Sequence, residues 1–405
     1  MVLLASASAV AAMVWAPFQS PAFAASPALP RFTEILRVPL KIDARDGTAV
    51  ALTAMRGKHK FSAQQVAPTP TWGYVPTGTT ASDVYLGPTI EAQRGVPVTV
   101  TVKNSLKGHP LAASIDPSIP GVTATDATYP RTATHLHGGH VPPASDGGPD
   151  DGYRIGAAKD RGDYAAGTGQ YAYRYPNDQE ATTLWYHDHA VGITRLNVQA
   201  GLAGFYLLRD RYDTGQAGNP LGLPAGYGTN EIPLVLQDRS FNADGTFAYP
   251  AAPWEPEFFG DVATVNGKAW PTLGVSRGLY RLRLLNGSNS RFYHLTLGAP
   301  LYQIGTDGGL LNAPVAVGSV LLAPGERADV LADFRAVPAG SRLVLSNTEL
   351  PEGWKAPPRW TSPRSCNSPS APTSASLARC PRPCAAGRDS RRGLGRCRQR
   401  PASGR

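Results

Sequence analysis

Short stretches in which apolar and polar residues alternate recur along the chain, and this period of two is typical of half-buried β-strands. The clearest stretch is 98–104 (VTVTVKN), and the stretches 171–175 (YAYRY) and 280–286 (YRLRLLN) repeat the pattern. No long helical period interrupts them, and 43 glycines and 38 prolines supply residues for many turns. The pattern therefore predicts an all-β protein.

The stretches 98–104 and 280–286 also resemble each other, because both alternate, both end in Asn and both closely follow a glycine. This weak internal repeat predicts two copies of one β-sandwich module. The segment 211–229 has five glycines and two prolines and is the predicted linker between them. We therefore expect a first domain at 30–210 and a second domain at 230–355.

The N-terminal residues 1–24 are predicted to form a secretory signal peptide, because an apolar run at 2–14 precedes an A-x-A cleavage pattern at 22–24. No Lys or Arg precedes that run, and a disordered alanine-rich leader is the alternative. A signal peptide predicts a secreted, periplasmic or cell-envelope protein. No other stretch is apolar for long enough to cross a membrane, so we expect no membrane partner.

The positive charge of the chain lies at its C-terminal end. The formal net charge is +9, yet the segment 356–405 has 11 arginines and one acid, so residues 1–355 carry a net charge of −1. This distribution argues against a nucleic-acid partner for the folded part. The tail is rich in Arg, Pro, Ser, Ala and Gly, which predicts disorder. Such a composition is typical of GC-rich DNA translated out of frame, and a genuine tail that docks on nucleic acid is the alternative.

All four cysteines lie in the same tail, at positions 366, 380, 384 and 397. Residues 1–355 therefore offer no disulfide, no thiolate metal ligand and no cysteine nucleophile.

Four of the eight histidines form two pairs with one residue between the members: His135 with His137, and His187 with His189. Residues i and i+2 of a strand leave the same face, so two such strands side by side direct four imidazoles into one space. One pair alone is equally consistent with ordinary half-buried histidines, whereas two pairs in apolar and aromatic surroundings indicate a metal site. Imidazole binds Cu, Zn, Fe or Ni, and the complete ligand set decides among them.

The two histidine motifs, 134–139 (THLHGG) and 184–189 (LWYHDH), resemble the first two copper motifs of multicopper oxidases, particularly the bacterial spore-coat laccase and bilirubin oxidase type. The resemblance extends over about residues 30–350. It is supported by the stretches 87–90, 194–197, 200–204, 265–271, 283–289, 303–309 and 323–329. The family fold is a set of cupredoxin-like Greek-key β-sandwiches, usually three. The resemblance thus implies an all-β chain with two such domains in tandem, followed by the disordered basic tail.

The resemblance also implies a function. Family members take single electrons from a phenol, a pigment or a metal ion at a type 1 copper and pass them to a trinuclear cluster that reduces O2 to water. Carried over by position, His135 resembles a type 2 copper ligand, whereas His137, His187 and His189 resemble type 3 ligands. Asp146 resembles an acid near the cluster that assists proton delivery, and an ordinary turn Asp between Ser and Gly is the equal alternative.

The sequence departs from the family pattern after His294, because no histidine follows and no tail cysteine has a neighbouring histidine. A type 1 copper site needs a thiolate together with two histidines. We therefore expect a chain truncated before the third cupredoxin domain, holding half of a trinuclear site and inactive as written. A non-catalytic copper-binding remnant with two domains is the alternative. We expect His294 to be a core or inter-domain residue and His140 to lie in a loop.

Overall fold

The computed structural model describes residues 25–155 and 169–348 with their side chains, and the backbone of one further strand at 364–371. The predicted signal peptide at 1–24 lies outside the described residues. Within these ranges the chain forms two pairs of β-sheets, one before residue 210 and one after residue 230. The all-β prediction is confirmed. No helix in the described part of the chain has the length and apolar character needed to cross a membrane.

The first pair of sheets is a sandwich of four strands against five. The four-stranded sheet has the order β3-β2-β5-β7 and the five-stranded sheet has the order β1-β4-β9-β8-β6. The strands are β1 Lys41–Asp43, β2 Val50–His59, β3 Thr69–Pro76, β4 Thr89–Gln93, β5 Val98–Asn104, β6 Thr134–His137, β7 Gln170–Tyr175, β8 Thr182–Asp188 and β9 Ala203–Arg209. The α-helix α1, Thr194–Ala200, lies between β8 and β9, and 3-10 turns lie at Ala112–Ser114, Ala124–Ala127 and Pro143–Ser145.

The second pair of sheets also forms a sandwich, with more strands. A seven-stranded sheet has the order β12-β11-β10-β14-β19-β16-β17, and a five-stranded sheet has the order β13-β21-β20-β15-β18. The strands are β10 Glu231–Arg239, β11 Val262–Val265, β12 Lys268–Ala269, β13 Val275–Ser276, β14 Leu279–Asn286, β15 Tyr293–Thr296, β16 Leu301–Thr306, β17 Gly309–Val317, β18 Val320–Leu322, β19 Arg327–Asp333, β20 Arg342–Asn347 and β21 Arg364–Ala371. The segment 211–229 connects the two sandwiches, and the predicted domain boundaries stay predictions.

The alternation in the sequence explains the core of the first sandwich. Val98, Val100 and Val102 of β5 are at most 1% exposed, whereas Thr99 and Thr101 between them are partly exposed. Each buried valine stabilises the fold by about 1.5–3 kcal/mol relative to an exposed one. Tyr173 and Tyr175 of β7 join the same core. β5 and β7 belong to the four-stranded sheet of the sandwich, whereas the two histidine strands belong to the five-stranded sheet.

One stretch of the predicted tail lies within the described residues, and the disorder of the tail as a whole stays a prediction. Over Arg364–Ala371 the backbone forms β21, which pairs antiparallel with β20 and parallel with β13. An unpaired sheet edge presents a row of free N–H and C=O groups that any extended segment can satisfy, which explains how a segment of this composition becomes a strand. The rest of 356–405 lies outside the described residues.

Buried charges join the two sandwiches. Arg281 and Arg283 of β14 form ion pairs of 2.8 and 3.0 Å with Asp213 from the connecting segment. Arg209 of β9 pairs with Glu231 of β10 at 2.7 Å, and all these side chains are at most 2% exposed. Buried charges are tolerated only when they are paired, so the network fixes how the first sandwich, the connecting segment and the second sandwich meet.

Candidate metal centre

The four predicted histidines come together on one sheet face because β6 and β8 are antiparallel neighbours. Their register places His135 opposite His187, and His137 opposite Trp185. The i and i+2 spacing of each motif then brings both members to the same face. His189 follows directly after the end of β8, and its ring centroid lies 4.9 Å from that of His135.

The imidazole nitrogens approach closely enough to share a metal ion. One nitrogen from each of His135, His137 and His187 lies within 4.8 Å of the others. His137 Nδ1 and His187 Nε2 are 3.1 Å apart. The ring of His189 completes the group from the other side, 5.8 Å from the ring of His187.

Backbone carbonyls fix the tautomer of two of these histidines. His135 Nδ1 donates to the Asp146 carbonyl oxygen at 2.6 Å, and His187 Nδ1 donates to the Asp188 carbonyl oxygen at 2.7 Å. Because a carbonyl oxygen only accepts, Nδ1 carries the hydrogen and Nε2 carries a lone pair. The lone pair of His187 Nε2 accepts from His137 Nδ1 at 3.1 Å. Metal-binding histidines use the same device to orient their rings. The buried Nδ1 of His189 has no hydrogen-bond partner in the described structure, so this nitrogen is a further candidate metal ligand.

The surroundings keep three of the four imidazoles neutral, which is the protonation state that binds a metal. Burial, together with the guanidinium of Arg327 and the neighbouring imidazoles, lowers the pKa of His137 to about 4. Burial also holds the pKa of His187 well below its ordinary value and lowers the pKa of His189. At neutral pH these three rings are therefore free of an extra proton.

Trp185 forms an aromatic wall behind the cluster. Its indole stacks on the ring of His187 at a centroid distance of 4.0 Å and on the ring of His137 at 5.1 Å. A Cβ atom at Gly325 of the second sandwich would lie 3.3 Å from His137 and 3.8 Å from Trp185, so the turn before β19 covers this wall. The sequence shows a Trp two residues before a His, yet it does not show that one indole supports two imidazoles.

Asp188 lies between two of the histidines and points to the other face of the strand. Its carboxylate accepts hydrogen bonds from the backbone N–H groups of Ala133 and Ala190 and from the Asn197 side chain, at 2.8–3.1 Å. Burial raises the pKa of Asp188 to about 6. These bonds hold together the start of β6, the end of β8 and α1, so Asp188 positions the histidine strands.

Asp146 reaches the cluster through a tight turn. Its carboxylate lies 3.4 Å from His135 Nδ1, and its side chain is 48% exposed, so it connects this ring with solvent. Gly147 follows with a φ of +66°, and a Cβ atom there would lie 2.1 Å from the Thr134 carbonyl oxygen. Only glycine permits both the positive φ and this close approach.

The second sandwich reaches the histidine strands through two arginines that sequence reasoning missed. Arg327 Nε donates to the Thr183 carbonyl oxygen at 3.0 Å, and Arg283 donates to the Thr183 hydroxyl at 2.7 Å. Two other histidines lie apart from the cluster. His140 is exposed in a loop and pairs with Asp178, whereas His294 is half-buried and bonds to hydroxyl groups of the second sandwich.

Two β-sandwiches with a cluster of imidazoles on one face are the arrangement of a cupredoxin-like protein with a candidate metal site. The model of the family "Multicopper oxidase" matches residues 126–213, which contain both histidine strands. The structure is similar to that of the McoA multicopper oxidase from Aquifex aeolicus, with a TM-score of 0.69, 25% identity, and 87% of this chain and 68% of that chain covered.

Curated relatives give the same result. A laccase of Bacillus subtilis is 36% identical over 344 residues, which cover 79% of this chain and 62% of the laccase. "Multicopper oxidase LPR1 homolog 1" of Oryza sativa subsp. japonica is 41% identical over 282 residues, which cover 67% of this chain and 45% of the rice protein. The chain belongs to the multicopper oxidase family. It spans about half the length of the curated relatives it matches.

Proposed function

We propose that this chain supplies part of a laccase-like copper oxidase, which couples one-electron oxidation of phenols, pigments or metal ions to the four-electron reduction of O2 to water. The observation that carries the proposal is the convergence of three imidazole nitrogens within 4.8 Å, with a fourth imidazole beside them. Membership of the multicopper oxidase family supports copper as the metal.

The donor set fits copper. Neutral imidazoles suit this metal, and the fixed tautomers place a lone pair on the Nε2 atoms of His135 and His187. A bound copper would replace the hydrogen bond between His137 Nδ1 and His187 Nε2. We propose that His135 serves a type 2 copper, and that His137, His187 and His189 serve type 3 coppers. Copper held in this way supplies the capacity to store and transfer single electrons to O2.

The protein groups around the cluster have their own tasks. Asp146 is placed to hold and pass a proton, because its carboxylate lies beside His135 and also reaches solvent. Trp185 excludes water from one side of His137 and His187. Asp188 keeps the two strands in register through its three hydrogen bonds.

We propose that residues 1–405 alone do not oxidise phenols. Four imidazoles are half of the ligand set of a trinuclear site in this family, and residues 1–355 contain no cysteine for a type 1 copper. A chain with this half-site alone binds copper without turnover, which is the second candidate function. The close packing of neutral donors supports binding in either case.

Copper binding tests the site directly. We expect the purified protein to bind copper in a competition titration against a chelator, and His135→Ala together with His187→Ala to abolish that binding. His140→Ala is the matched control, since its side chain is 75% exposed and lies outside the cluster. Unchanged copper binding by the double variant, with an intact fold, would contradict the proposed site.

Oxygen consumption distinguishes the two candidate functions. With 2,6-dimethoxyphenol and added Cu(II), we expect the protein of 405 residues to consume no O2 above the level of the double histidine variant. Turnover that depends on His135 and His187 would refute the inactivity and would show that four imidazoles suffice.

A further inference from the structure

A cleft of about 540 Å3 opens beside α1, where a loop of the second sandwich meets the first sandwich. Its volume lies in the range of about 300–1,000 Å3 that is typical of small-molecule sites. The walls include Asp116, Ile119, Arg195, Pro253 and Trp254. None of the four histidines of the candidate metal centre lines this cleft.

One wall of the cleft is an exposed indole on a fixed backbone. Trp254 is 48% exposed, although a large aromatic residue gains stability from burial. Its backbone N–H donates to Asp116 Oδ2 at 2.7 Å, and the nearby Ala252 N–H donates to the Ala113 carbonyl oxygen at 2.8 Å. The loop is thus tied to the first sandwich on both sides of Pro253. A flat apolar surface held in this way is a platform on which a planar ring can stack.

A second wall carries a guanidinium that forms no close ion pair in the described part of the chain. Among the described residues, no carboxylate lies within 4.0 Å of the half-buried Arg195 guanidinium, which forms only long bonds of 3.3 Å to the Ser114 carbonyl oxygen and 3.4 Å to the Tyr249 hydroxyl. Its Nε is buried and has no acceptor in the described structure. Asp116 lines the same cleft, but its oxygens accept the backbone N–H groups of Ser118 and Trp254. A guanidinium in this state favours an incoming carboxylate, which it can bind through two parallel hydrogen bonds.

We propose that this cleft binds a small aromatic monocarboxylate. The ring stacks on Trp254 between the apolar side chains of Ile119 and Pro253, and the carboxylate pairs with Arg195. The negative charge of Asp116 in the same cleft disfavours a second carboxylate on the ligand. The site is separate from the candidate metal centre, and its occupancy does not depend on copper.

Benzoate is the probe, and the metal-free protein in the presence of a chelator excludes binding of benzoate to copper. By calorimetric titration we expect one saturable site for benzoate, with affinity at least about tenfold weaker for benzyl alcohol and for cyclohexanecarboxylate. Trp254→Ala and Arg195→Gln are each expected to weaken benzoate binding by about tenfold. Tyr129→Ala and Arg94→Gln remove an exposed aromatic ring and an exposed guanidinium elsewhere and should leave binding unchanged.

Several results would overturn the proposal. These are the absence of saturable benzoate binding, equal binding of benzyl alcohol, or tighter binding of benzylamine, which would make Asp116 the anchor for a cation. If Arg195→Gln does not fold, Trp254→Ala decides the outcome, because its half-exposed side chain can be removed without opening the core. Unchanged benzoate affinity in a folded Trp254→Ala variant refutes the proposal.

Discussion

Trp185 offers a demanding test of how the histidine cluster is held. The indole is 5% exposed and stacks on two of the candidate copper ligands, His137 and His187, at 5.1 and 4.0 Å. We expect Trp185→Leu to weaken copper binding, because leucine occupies space without offering a flat face to either imidazole. Trp185→Phe keeps one aromatic face and should have a smaller effect.

The size of the effect follows from the two stacked pairs. An aromatic pair contributes about 0.5–1.5 kcal/mol beyond its buried area. The loss of both pairs therefore removes about 1–3 kcal/mol of the interaction energy that holds the two imidazoles in place. This corresponds to a decrease of roughly 5- to 150-fold in copper affinity. Removal of a large buried side chain also lowers the free energy of unfolding, by about 3–5 kcal/mol for a change from Trp to Ala and less for Leu.

The assay must separate copper affinity from fold stability. Copper affinity is measured by competition with a chelator, and the free energy of unfolding by urea denaturation. Trp72→Leu is the matched control, because Trp72 is also buried, at 1% exposure, but contacts His109 rather than a candidate ligand. If Trp185→Leu and Trp72→Leu lower copper affinity equally, or if folded Trp185→Leu binds copper like the native protein, the reasoning is refuted.

Three further predictions concern the fold around the site. Gly147→Ala should lower the free energy of unfolding by more than about 2 kcal/mol, because the new Cβ would meet a backbone oxygen at 2.1 Å. Gly78→Ala, which also has a positive φ but open space, should cost about 1 kcal/mol in the same urea assay. Arg283→Met removes one of the two or more cations that pair with each of the buried carboxylates of Asp213 and Glu231, and should cost about 3–5 kcal/mol. An unchanged urea midpoint would contradict a role of Arg283 in joining the two sandwiches. His109 is buried and its pKa is lowered to about 4, so its contribution to stability is present above its ordinary pKa of about 6.5 and is lost as the pH falls towards 4. His109→Gln should therefore flatten the fall in stability over this pH range, and an equally steep fall would refute the assignment.

Much of the fold followed from local patterns. The alternation in β5 predicted its buried valines, and the spacing of His135 and His137 predicted that both leave one face of a strand. These predictions succeed because the period of a strand is fixed by the backbone and does not depend on the partner. The family motifs added the fold class and the expected metal.

The rest of the site depends on contacts between residues far apart in the sequence. The register that sets His135 opposite His187 comes from strand pairing over about fifty residues and cannot be read from either motif. The contact of Arg327 with Thr183 joins two separate sandwiches, and no local pattern encodes it. The pairing of β21 with β20 likewise depends on a sheet edge from another part of the chain, which composition does not describe.

The buried charges between the sandwiches restrict how this protein can be recombined with its relatives. A crossover placed in the glycine-rich connection would separate Arg209 from Glu231, and one placed after Asp213 would import an unmatched Arg281 or Arg283. Since an unmatched buried charge costs several kcal/mol, chimeras divided there should be recovered mainly as insoluble protein. We therefore expect the two sandwiches to tolerate exchange only as a single block, although the glycine-rich sequence between them resembles a flexible linker.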